Sequence, residues 1–168
     1  NTALIQLQDL DRDGERETAV TFFRVSEAEK PLKIYFFTRT AEDTYTVSAM
    51  VEGNGTAIYR VDYVDLNGSG CKEVVVSWQM STGVYLLGAY SLEEAMVRSL
   101  QYAASAPAGS ASAQGLPDRE ALRATEWMTT VYDNYALYDL DQDTRTELAV
   151  VRVDKAGTNS AVDLYGWR

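Results

Sequence analysis

The chain is a succession of strand-like runs, three of which open on apolar residues two apart, the period of a strand that buries one face. Ile5 and Leu7 begin it, and runs at 18–25, 32–38 and 44–51 continue it. It resumes with Val61 and Tyr63 and at 74–80 and 84–90. It returns a third time with Tyr135 and Leu137 and at 148–153 and 161–167. Glu52-Gly-Asn-Gly55 separates the first group of runs from the second and is a strong turn signal. Residues 95–102 are ambiguous. Ser91-Leu-Glu-Glu94 in front of them fits a helix capping box and equally a turn into another strand. The regularity of the groups favours the strand. Asp118, after Pro117, is placed to cap a short helix through Ala121 and Leu122 and on towards Trp127.

The three groups share more than periodicity. Asp9-Leu-Asp-Arg-Asp-Gly-Glu-Arg-Glu17, Asp65-Leu-Asn-Gly-Ser-Gly-Cys-Lys-Glu73 and Asp139-Leu-Asp-Gln-Asp-Thr-Arg-Thr-Glu147 align without gaps. Each has an oxygen-bearing side chain at positions one, three, five and nine and Leu at position two, and each lies between two strand-like runs. That is strand, loop, strand three times, the self-similarity of a repeat architecture. The loops start 56 and then 74 residues apart, and the excess falls at 103–117, which holds only Ala, Ser, Gly, Pro, Gln and Leu. Such a run buries little and reads as an exposed, flexible insertion. The expected organisation is one all-β repeat domain with approximate units 1–54, 55–102 and 125–168, an insertion at 103–124, and antiparallel four-stranded sheets.

The loops carry the candidate chemistry. Calcium takes six to eight oxygen ligands at about 2.3–2.6 Å in flexible geometry, and oxygens at alternate loop positions can turn inward around one centre. In the first loop Asp9, Asp11, Asp13 and Glu17 supply carboxylates, the carbonyl of Glu15 fills position seven, and Gly14 allows a sharp turn at position six. The third loop keeps Asp139, Asp141, Asp143 and Glu147, with the carbonyl of Arg145 at position seven. Its position six is Thr144, a β-branched residue that a left-handed turn strains. The second loop has only Asp65 and Glu73 as acids, with Asn67 and Ser69 as neutral ligands and Gly68 and Gly70 for the turn. Its alternative is a hydrogen-bonded hairpin loop without an ion. Solvated turn residues explain one such loop easily and three in the same register poorly. An EF-hand needs an acid at position twelve and a helix after it; here that position is Val20, Val76 and Val150, in strand-like runs.

Composition narrows the classes further. The net charge of −10 argues against nucleic acid as a partner, since phosphate binding needs clustered Lys and Arg. The loop positions hold ten of the 25 acids, and three calcium ions would bring −10 to −4. Histidine is absent and Cys71 is the sole cysteine, which removes Ser-His and Cys-His nucleophiles, internal disulfides and thiolate zinc sites. No run approaches the roughly 20 apolar residues of a membrane-spanning helix. The sequence shows no signal peptide, but Asn1 opens almost directly onto a strand-like run, so removal of a leader or anchor is an expectation.

Asp-x-Asp-x-Asp-Gly-x-x-Glu between two strands, repeated at 5–25, 61–80 and 135–153, resembles the FG-GAP and VCBS-type calcium-loop repeats of integrin α-subunit propellers and bacterial surface proteins and lipoproteins. The resemblance implies a β-propeller of four-stranded blades with calcium in hairpin loops. It also implies an extracellular or cell-surface location, with any lipid anchor in a segment outside this sequence, and a role in adhesion, ligand binding or scaffolding. The Phe-Gly-Gly-Ala-Pro signature is absent, Leu87-Gly-Ala-Tyr90 being a faint echo. Three units are fewer than the four to eight blades of a closed ring, so an incomplete or excised propeller is expected. Open edge strands would then favour self-association. The ligand would be a protein or a carbohydrate. Two alternatives stand beside this reading: a purely structural repeat without calcium, and a propeller-type carbohydrate-active enzyme using acids outside the loops. Those acids are Asp43, Glu52, Asp62, Asp118, Glu126 and Asp163, and nothing pairs any two of them about a substrate. Tyr59, Trp78, Tyr85, Tyr132 and Trp167 are candidates for a contact surface, with core packing the favoured reading of each.

Overall fold

The computed structural model describes residues 5–16, 18–26, 28–39, 44–105, 119–156 and 158–167. They are mostly strand, and the chain divides into two compact units. The first comprises Asn1–Asp9, Asp13–Gly53 and Ser91–Thr125; the second comprises Leu10–Arg12, Asn54–Tyr90 and Glu126–Arg168.

In the first unit β1 (Ile5–Gln8), β2 (Thr18–Arg24), β3 (Leu32–Arg39) and β4 (Tyr45–Gly53) form one antiparallel sheet in sequence order. Val20, Ile34 and Phe36 are fully buried on one face and Met50, opposite Tyr35, on the other, while Ile5 and Leu7 on the outer strand remain exposed. A bulge between Phe36 and Phe37 shifts the β3–β4 register, as bulges do where a strand must bend. Helix α1 (Glu93–Ser105) packs against β4 and against the short α2 (Arg119–Leu122). The Ala124 N–H then donates to the carbonyl of Met50 at 2.8 Å.

In the second unit β5 (Ala57–Val64), β6 (Glu73–Ser81), β7 (Val84–Ser91) and β8 (Thr125–Tyr132) form a four-stranded sheet in that order. A three-stranded sheet follows, ordered β11-β10-β9, from β9 (Asn134–Tyr138), β10 (Glu147–Val153) and β11 (Ser160–Tyr165). The two sheets share a core of Leu66, Val75, Leu87, Tyr132, Leu148 and Val150, with Trp127 and Met128 packed on it.

Three expectations need correction. Residues 95–102 lie in α1, not in a strand. Glu93 and Glu94 sit in its first turn, where the helix dipole favours acids, and Ala95 and Ser99, four apart, form its buried stripe. The fourth strand of the second sheet is instead β8, taken from beyond the insertion. Trp127 is therefore on a strand, and α2 ends before it at Leu122. The third sheet has three strands among the described residues, the three that the runs at 135–137, 148–153 and 161–167 mark, with no outer fourth. Of the insertion, 103–105 continue α1, while 106–117, and Asp118 with them, lie outside the described residues. No helix among the described residues is long and apolar enough to cross a membrane.

Candidate metal centre

Each acidic loop joins two antiparallel neighbours: β1 to β2, β5 to β6, and β9 to β10. The registers closing them are Gln8↔Thr18, Val64↔Glu73 and Tyr138↔Glu147. Position twelve of each segment is a valine with no exposed surface, Val20, Val76 and Val150, which roots the departing strand in a core. A strand, and not a helix, follows each loop.

The three loops repeat one hydrogen-bond pattern. The position-six N–H donates to the position-one carboxylate: Gly14 to Asp9 at 3.1 Å, Gly70 to Asp65 at 3.0 Å, Thr144 to Asp139 at 3.0 Å. The position-seven N–H donates to the position-five side chain: Glu15 to Asp13 at 2.7 Å, Cys71 to Ser69 at 3.2 Å, Arg145 to Asp143 at 2.8 Å. In the second and third loops the position-nine acid accepts from the position-two N–H, Leu66 to Glu73 and Leu140 to Glu147, both at 2.7 Å. Glu17, the corresponding acid of the first loop, lies outside the described residues.

Backbone conformation repeats as well. Positions four and six have positive φ in every loop: Arg12 and Gly14, Gly68 and Gly70, Gln142 and Thr144. Glycine adopts this freely. Thr144, at φ 76°, does not, and a β-branched side chain there costs about 1–2 kcal/mol.

With one backbone in common, the loops differ in what the side chains present. In the first, Asp9, Asp11 and Asp13 bring carboxylate oxygens within 4.8 Å of one another; in the third, Asp139, Asp141 and Glu147 do the same. Oxygens on opposite sides of a calcium ion stand about 5 Å apart, so both spans suit a shared ion. Oxygen-only donors are also the set a hard divalent cation takes. Asp143 lies outside the third cluster. Its carboxylate accepts from the Arg145 N–H and faces the Arg145 side chain at 3.8 Å.

The second loop is furnished differently. Asp65 and Glu73 are buried, at 8% and 1% exposure. Asp65 accepts from the amides of both Gly68 and Gly70, at 2.7 and 3.0 Å, and from the Arg12 guanidinium at 3.3 Å. Asn67 accepts from the Ser69 N–H at 2.8 Å. The Arg145 side chain lies over Gly68, where an added Cβ would stand 2.9 Å from its Nε. Backbone amides hold both acids of this loop, and the Arg12 guanidinium pairs with Asp65. Among the described residues it forms no three-carboxylate cluster.

Burial of the position-two leucine divides the loops differently, setting the third apart from the first two. Leu10 and Leu66 are buried, whereas Leu140 is 53% exposed. Of the acids outside the loops, Asp62 bonds Arg60 and the Tyr135 hydroxyl, and Asp163 pairs with Arg152. Asp43 lies outside the described residues. Of the five aromatics, Trp78 and Tyr132 are core, while Tyr59 and Trp167 are 62% and 48% exposed.

One charged cluster had no counterpart in the sequence reading beyond the single name Glu52. Lys33 and Glu52 are directly opposed across β3 and β4, both nearly inaccessible, and ion-paired. Arg119 of α2 reaches the same carboxylate through Nε at 2.7 Å, and Arg123 approaches at 3.3 Å. Burial pushes the Glu52 pKa up, but the bonds from Lys33 and Arg119 outweigh it and hold it below the ordinary glutamate value. The strand register alone pairs Lys33 with Glu52; the arginines arrive from 67 and 71 residues away, which no local pattern reveals.

No family model matches this chain, and neither a curated protein nor a solved structure does.

Proposed function

We propose that the chain is an extracytoplasmic calcium-binding β-repeat module, related in design to the FG-GAP and VCBS-type propeller repeats, that serves adhesion, ligand binding or scaffolding. One observation carries this reading. Three loops far apart in sequence share the same hydrogen bonds and the same pair of positive φ angles, and two of them gather three carboxylates within 4.8 Å. Solvated turns have no reason to agree in such detail. The first and third loops are the proposed ion sites, with calcium in a structural role. The second is proposed to hold itself together through Arg12 and its own amides, a loop that keeps the architecture without the ion. The exposed apolar residues of the outer strands β1 and β11, Ile5, Leu7, Val162 and Leu164, are consistent with self-association at open edges.

Calorimetric titration of chelator-stripped protein tests the assignment. Two calcium sites are expected, with Asp11→Ala removing one and Asp141→Ala the other. Binding that survives both substitutions, or that is equal for magnesium, would overturn it. Extracellular calcium modules bind at about 10⁻⁴–10⁻³ M, which sets the concentration range.

A further inference from the structure

The second unit contains a cleft of about 180 Å³ that the acidic loops do not explain. Trp127, Tyr165 and Trp167 form its aromatic walls, and Leu66, Met128 and Leu148 line it from the core. Ala89 is fully buried at its floor and contributes only a methyl group. Thr146 also lines it, and no side chain of Asp, Glu, Lys or Arg does, among the described residues. An enclosed apolar cavity of about 150 Å³ takes up benzene, so the volume of this open cleft has room for one six-membered ring with a small substituent.

The aromatic walls are placed, not loose. The Trp127 and Trp167 rings stack with centroids 4.3 Å apart and planes inclined at 31°. Trp167 is fixed from behind by the third loop. Arg145 Nη1 donates to its carbonyl at 3.2 Å, and the neighbouring Gly166 is in ordinary contact with Glu147, an added Cβ standing 3.4 Å from that side chain's Cγ. A half-exposed tryptophan at the rim, held through its backbone, leaves its ring available to a ligand.

We propose that this cleft is a binding site for a flat, neutral, apolar ring, seated on Ala89 and covered by Trp167. No charged side chain lines the cleft among the described residues, which disfavours an ionic ligand, because a buried unpaired charge is costly. Sparse hydrogen-bonding groups disfavour a sugar, whose hydroxyls would lose water without replacement. An aromatic ring gains instead from offset or edge contacts with the indoles. The site stands independently of whether the loops hold calcium.

The probe is 4-fluorotoluene, followed by its fluorine resonance as protein is added in 1 mM calcium. A saturable, one-to-one shift is expected. Ala89→Leu fills the floor and should abolish it, and Trp167→Ala should weaken binding about tenfold while leaving the core untouched. Both variants are checked for an unchanged far-ultraviolet dichroism spectrum and a cooperative urea transition; if Ala89→Leu fails to fold, Trp167→Ala decides. No saturable shift with the unaltered chain, or equal affinity in a folded Ala89→Leu or Trp167→Ala variant, would overturn the proposal.

Discussion

The second and third acidic loops share a backbone and handle negative charge in opposite ways. In the second, Asp65 and Glu73 are buried and satisfied by amides and by Arg12, so the protein supplies the positive partner itself. In the third, Asp139 and Asp141 stand in solvent, close to each other and to Glu147, with Thr144 strained at the turn and Leu140 left outside. Burial makes a charge dependent on internal partners; exposure leaves it free to recruit an external one. Glu52, gripped by Lys33 and two arginines, belongs with the second loop in this respect.

The largest expected effect follows from the internally paired class. Glu52→Gln leaves the buried Lys33 ammonium without its counter-charge and should cost about 3–5 kcal/mol in urea unfolding. Because the folded-state pKa of Glu52 is lowered, its stabilisation is complete above the ordinary glutamate range. It is lost as pH falls through the depressed value. An acid titration of stability should therefore flatten in the variant. If the loss is under about 1 kcal/mol, buried pairing is not what secures this class.

Next comes the direct comparison at position nine. Glu73→Ala strands the buried Leu66 N–H and should cost about 1–3 kcal/mol. Glu147→Ala, in calcium-free buffer, exposes the Leu140 N–H to water and should cost within about 0.5 kcal/mol. Equal losses would erase the distinction between the loops. The smallest effect sharpens it. Thr144→Gly relieves the positive φ at the cost of unfolded-chain entropy and should stabilise by about 0.5–1 kcal/mol in a thermal melt. A destabilised Thr144→Gly would mean that the threonine side chain has a role the backbone angle hides.

Most strands were legible from their β-branched and aromatic composition, as in the buried run Val74 to Val76 of β6, rather than from alternation alone. The loops were legible because ligand spacing is a local property of nine residues. What failed was the region around the insertion. There the regularity of the repeat argues for a strand against the helix signal of Glu93 and Glu94, and the capping signal before α2 points on to Trp127, although Thr125, Thr129, Thr130 and Val131 mark a strand. The second loop's self-sufficiency was hidden because Arg12 reaches Asp65 across 53 residues of chain. The cleft was hidden for the same reason, since Leu66, Ala89, Trp127 and Trp167 meet only in the folded chain.

The central claim is that the exposed loops use calcium as the partner the buried acids find within the protein. A thermal melt of chelator-stripped protein with and without 1 mM calcium, with magnesium as control, tests it most directly. At a dissociation constant of about 10⁻⁴ M each site adds about 1.4 kcal/mol, so two sites should raise the midpoint by roughly 6–11 °C. Asp11→Ala and Asp141→Ala should each remove about half of that rise. An absent rise, or one that persists in the double variant, would contradict the account.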